Sequence, residues 1–314
     1  MLKKKKLLIL ISWILIFCTV FSNVFGIEVE AKSKPPKFNA ALTDKNMLKL
    51  VKAYDSDAYY FLNKTKQKGS TFSTWMMGSN NLAEAAETTV HEQFHMYTHT
   101  FGEFDWTTGF SDIYYLGNKK TLYINQTDCF KTEVVTGKLP ANLRTFRYDT
   151  YVAQGASASS NQDGVYGLLN EFAAYYWGMH VEYKLYPYYA KNVNSLSGWH
   201  SFENDFVNDR DAYAEFYYWT LCYLDYARRK KPKVYKDIMN NKNYVVTFDT
   251  FRRNFEKLIK NYKKKLNVVY KKYTGQGYDG TSSYGGYRVL MKQINSKKFK
   301  KVKNDLVKKA KKYK

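Results

Sequence analysis

The 314-residue chain has little of what staples or punctuates a fold: 3 Cys, 5 Pro and 17 Gly. Cys18 lies in an N-terminal apolar stretch, which leaves Cys129 and Cys222 to form one bridge at most, so a disulfide framework is excluded. Neither cysteine has CxxC or Cys/His spacing, which excludes a zinc ribbon. With so few Pro and Gly, a collagen-like or low-complexity polymer is excluded as well. Beyond Phe21 there is no apolar run of the roughly 20 residues that a membrane span needs. Acidic residues are outnumbered, 28 against 50 Lys and Arg, for a formal net charge of +22. What is abundant is core material: 45% hydrophobic and 18% aromatic residues, which excludes disorder for most of the chain.

The excess charge is uneven. Residues 228–314 hold 28 Lys/Arg and 5 Asp/Glu, a balance of +23, whereas residues 32–227 hold 18 basic and 21 acidic residues, a balance of −3. At the other end, Lys3–Lys6 and the apolar stretch Leu7–Phe21 are followed by the small residues Gly26 and Ala31, the pattern of a secretory signal peptide. The signal peptide is expected to span residues 1–31, with the mature start between Ile27 and Lys32. The mature chain is then secreted, extracellular or cell-wall associated.

Periodicity predicts a helix from Thr43 or Asp44 to about Tyr54 and another over about Asn81–Thr100. Ile113–Leu116 and Thr121–Ile124 read as a β-hairpin with a four-residue loop, Gly117–Lys120. Further helices are expected over Tyr166–Tyr183 and Asp209–Arg229 and around Phe251–Tyr270, followed by a Gly/Tyr/Ser loop at 274–287 and a last Lys-rich helical stretch.

His91-Glu92-Gln93-Phe94-His95 is an HExxH motif inside one of these helices. Residues four apart on an α-helix lie one turn apart on the same face, so two imidazoles can converge on one ion. Glu92, beside the first ligand, can reach a water on the metal and act as general base and then proton shuttle. In this composition a chance match is expected only about 0.003 times, so accident is a poor explanation. His99 is a further four residues on, but about 12 Å along the axis from His91, too far to share the ion.

A catalytic zinc needs a third protein ligand and an open position. Two carboxylates compete: Glu171, which opens the segment Asn170-Glu171-Phe172-Ala173-Ala174-Tyr175, and Asp112 within Gly109–Gly117. His91, Glu92, His95 and Glu171 together resemble the HExxH plus NExxx(Y/D) signature of gluzincin metallopeptidases, over two short segments. That resemblance implies a zinc site of His91, His95 and Glu171. Tyr175 stands where thermolysin-like members carry an Asp. An oxyanion stabiliser is also required, with Tyr175, Tyr166 and His180 as candidates and Tyr175 foremost.

The expected architecture is α+β: a zincin-like catalytic domain over residues 32–230, with a small, mostly antiparallel sheet packed on the HExxH helix. A mainly helical, strongly basic C-terminal region follows over 231–314. The expected function is that of a secreted zinc-dependent metallopeptidase acting on a protein or peptide substrate. Nucleic acid is the usual partner of so basic a stretch, but an exported chain does not meet it; an anionic cell-wall polymer or membrane surface fits instead. The alternative is an envelope-binding protein with cationic Tyr-rich helices and a structural or inactive metal site.

Overall fold

Local signals set the first two helices. The Thr43 hydroxyl accepts the Asn46 N–H at 3.3 Å and opens α1 (Asp44–Tyr54), which buries Met47, Leu50 and Val51. Asp55 ends α1 and caps α2 (Ser56–Gln67), its Oδ1 accepting the N–H groups of Asp57 and Ala58 at 3.2 and 3.1 Å. The computed structural model describes residues 34–106, 109–284 and 286–313. The expected signal peptide therefore lies outside the described residues.

α3 (Ala86–Thr100) carries the HExxH motif. It leads into an antiparallel sheet of β1 (Glu103–Asp105), β2 (Gly109–Gly117) and β3 (Lys120–Asn125), in that spatial order. The β2–β3 loop is tighter than expected. Only Asn118 and Lys119 lie between the strands, with φ of 52° and 58°, the left-handed pair that a type I′ hairpin turn requires. Asp57 on α2 holds this turn, its Oδ1 accepting the Asn118 N–H at 2.7 Å and the Tyr115 hydroxyl at 2.6 Å.

α4 (Gly164–Lys184) is the central helix, buried on nearly every side. Its Trp177 donates to the Tyr115 carbonyl at 3.2 Å and packs its ring within 5.5 Å of Phe61 on α2 and of Tyr115 on β2. α5 (His200–Lys230) runs nine residues further toward its N-terminus than its apolar pattern indicates, and it buries Asp209, Arg210, Asp211 and Glu215. The basic region supplies α6 (Pro232–Asn240), α7 (Lys242–Thr274), α8 (Tyr287–Ile294) and α9 (Lys300–Tyr313). Each buries an apolar face, with Phe251, Phe255, Leu258 and Tyr262 on α7 and Val302, Leu306 and Ala310 on α9. α5 ends at Lys230, and residues Pro35–Lys314 form one compact unit.

The expected α+β architecture is overturned. Of the described residues 67% are helical, and the small antiparallel sheet does not make this a zincin-like α+β domain. The physical reason lies in the apolar spacing. Residues 44–67, ahead of the motif, repeat at three and four rather than two, so they form α1 and α2 and add to the helical bulk instead of to the small sheet.

Candidate metal centre

Close packing of α3 on α4 builds the site. At Gly178 a Cβ would stand 2.6 Å from Glu87 Oε1, so a side chain here would have to displace that buried carboxylate. Two turns earlier on α4, Glu171 faces His91 and His95.

The three residues bring one donor atom each together. His95 Nε2 lies 3.1 Å from His91 Nε2 and 3.4 Å from Glu171 Oε2, and His91 Nε2 lies 3.7 Å from Glu171 Oε2. Ligands about 2.0–2.1 Å from one tetrahedral ion are separated by about 3.3–3.4 Å, so these three edges match one face of such a polyhedron. Apart from its approach to the two imidazoles, buried Glu171 Oε2 makes no hydrogen bond among the described residues, as expected of an oxygen set aside for a cation. His91, His95 and Glu171 thus form a buried group that can hold a metal ion.

Protonation suits that role. Burial, reinforced by the His95 and Arg147 charges, pushes His91 well below the ordinary imidazole value and keeps it a neutral donor. Burial acts against a charge on His95, but the Glu171 carboxylate, its hydrogen bonds and Glu92 hold it above the ordinary value. A cation taking the place of that proton would satisfy the same carboxylate. His95 Nδ1 bonds Asn170 Oδ1, which fixes the tautomer with the Nε2 lone pair toward Glu171. Glu92 is half-buried, and its carboxyl is raised by burial, with Glu171 and Glu87 adding and His95 opposing.

The other carboxylate named as a possible ligand stands elsewhere. Asp112 on β2 lies 3.2 Å from His99 Nδ1 and accepts from Gln126 Nε2 at 3.4 Å, outside the cluster. His180 lies on the opposite side of α4, nine residues or two and a half turns from Glu171, and pairs with Asp55 at 2.7 Å. Tyr166 is bonded to Thr127 at 2.7 and 3.1 Å. Cys129 and Cys222 are both free, the first exposed and the second buried.

Tyr175 packs edge-on against His91, with ring centroids 4.4 Å apart. Its hydroxyl accepts from Arg147 Nε at 3.0 Å and pairs with the Tyr151 hydroxyl at 3.0 Å. Arg147 is buried and anchored by Glu215, which it meets at 2.7 Å through Nη1 and 3.1 Å through its backbone N–H. Burial first, and the Glu171 charge second, push the Tyr151 hydroxyl up to about 12.

Sequence reasoning missed Asn170 as a support for His95, although it stands beside Glu171. It also missed Arg147 and Tyr151, which lie on a segment with no helical or strand periodicity and carry no local signal. Compared with protein-family models, curated proteins and solved structures, the chain matches none.

Proposed function

We propose that the chain is a zinc-dependent peptidase with a gluzincin-type ligand set. The observation that carries this reading is the convergence of His91 Nε2, His95 Nε2 and Glu171 Oε2 at 3.1, 3.4 and 3.7 Å, with Glu92 one residue from the first ligand. Two imidazoles and one carboxylate are a borderline donor set that suits zinc better than an oxygen-seeking ion such as calcium or magnesium.

A zinc ion held there supplies Lewis acidity, which polarises a peptide carbonyl and makes water a nucleophile near neutral pH. Glu92 takes the proton of the attacking water and later delivers it to the departing amine nitrogen. Its raised carboxyl suits both halves of that transfer, because a base nearer the working pH returns its proton more readily. Asn170 holds His95 in the ligating tautomer, and Tyr175 closes the site beside His91.

Retention at an anionic envelope polymer is part of the same proposal. Lys257, Lys260, Lys263 and Lys264 on α7 and Lys300, Lys308, Lys311 and Lys312 on α9 are exposed. Because α9 also buries Val302, Leu306 and Ala310, deleting it would disrupt the fold, so exchanging Lys300, Lys308, Lys311 and Lys312 for Gln is the cleaner test. The exchange should lower the salt needed to elute the protein from cell walls; an unchanged elution profile would remove this part.

The enzymatic part is tested by Glu92→Gln. The variant should keep its zinc and its melting temperature while peptide hydrolysis falls to background; hydrolysis at the wild-type rate would remove Glu92 as the base.

A further inference from the structure

An oxyanion donor must point into the site with a proton that nothing else takes. Tyr166 is committed to Thr127, and His180 stands on the far face of α4 with Asp55. Tyr175 is close, but its hydroxyl is enclosed. Arg147 Nε can only donate, so the 3.0 Å contact makes Tyr175 Oη an acceptor there. The Tyr175 proton needs an acceptor of its own, since the residue is 7% exposed. The partner at hand among the described residues is Tyr151 Oη, at 3.0 Å.

The donation therefore runs from Arg147 to Tyr175 to Tyr151, and the Tyr151 proton is left without a protein acceptor among the described residues. Tyr151 is the more accessible phenol of the two, lies within electrostatic reach of Glu171 and Glu92, and has its ring fixed edge-on to Phe216 at 5.2 Å. Glu215 and Asn208 hold Arg147 at the head of the relay, so its charge polarises both hydroxyls outward.

We infer that Tyr151 is the hydrogen-bond donor to the scissile carbonyl oxygen, with Tyr175 and Arg147 as positioning residues that orient and polarise it. The inference rests on the peptidase reading. As the water oxygen bonds to the carbonyl carbon, the C=O π pair moves onto oxygen, and Glu92 receives the water proton. Tyr151 keeps its own proton and donates a hydrogen bond to that growing charge. When the C–N bond breaks, the electron pair leaves with nitrogen, Glu92 returns the proton to it, and the carbonyl re-forms.

The test pairs Tyr151→Phe with Tyr175→Phe, both zinc-loaded. Calorimetry measures binding of a phosphonamidate dipeptide, whose anionic oxygens imitate the tetrahedral centre, and a fluorogenic peptide library supplies kcat and KM. Tyr151→Phe should keep zinc and melting temperature, bind the phosphonamidate at least about tenfold more weakly, and lose on the order of 10²–10³ in kcat with KM little changed. Tyr175→Phe, which leaves Tyr151 in place but unpolarised, should lose less. Phosphonamidate binding and kcat within twofold of wild type in Tyr151→Phe would overturn the inference, and so would a larger loss in Tyr175→Phe than in Tyr151→Phe. A wild-type protein that neither cleaves the library nor binds the phosphonamidate would overturn the peptidase reading itself, and the inference with it.

Discussion

Replacing Asn170 with Ala removes the only acceptor that His95 Nδ1–H has among the described residues. Asn170 is 3% exposed, so water does not readily take its place, and the imidazole is left with an unpaired donor and freedom to turn. Loss of such a supporting bond lowers metal affinity by about 10–100-fold, or roughly 1.4–2.7 kcal/mol at 1.36 kcal/mol per decade. A buried donor without a partner costs a further ~1–3 kcal/mol of folding free energy. Competition of the metal-free protein against a chromophoric zinc chelator measures the first quantity, and urea unfolding with zinc absent measures the second. Asn170→Asp retains an acceptor in the same place and should restore the affinity to wild type or above. Zinc affinity within twofold of wild type in Asn170→Ala would refute the claim that this bond orients His95.

Other consequences follow from the packing around the site. Glu182 on α4 is fully buried, and burial pushes its carboxyl well above the ordinary value, with the Tyr189 hydroxyl opposing and the Glu87 and Glu84 charges adding. Because the folded state holds that proton more tightly, its stabilising effect is complete below the unfolded value of about 4.3 and fades as pH rises through the folded one. The melting temperature of Glu182→Gln should therefore fall less than that of wild type between about pH 5 and 8, and parallel curves would contradict the shift. Gly178→Ala drives a methyl group against Glu87, and the displaced helices should cost about 1–3 kcal/mol in urea unfolding and weaken zinc binding as well. A Gly178→Ala protein as stable as wild type would show that the α3–α4 approach is not set there.

The site was more legible in the sequence than the fold around it. HExxH and the Asn-Glu pair work through helical spacing, which is a local property, and both helices appear, although α3 begins at Ala86, five residues later than expected. The choice between Glu171 and Asp112 was not local. It depends on α4 packing against α3 so that Glu171 meets His91 and His95, while β2 carries Asp112 out to His99. Arg147 and Tyr151 reach the site from an aperiodic stretch whose shape comes from buried bonds to Glu215 and Tyr175 on distant helices. The expected α+β architecture failed although a small sheet is present, because the segments ahead of α3 follow a helical period and helices make up most of the fold. The two-residue turn escaped notice because Lys119 is an uncommon occupant of a left-handed position.

The central claim is that one metal ion, held by His91, His95 and Glu171, makes this chain a peptidase through Glu92. Titrating zinc into metal-free protein while following hydrolysis of a quenched-fluorescent peptide library tests it most directly. The account predicts that activity rises in proportion to zinc and levels off at one equivalent per chain, and that Glu92→Gln binds the same equivalent and stays at background. Hydrolysis that is absent at every zinc level, or already complete without metal, would contradict it.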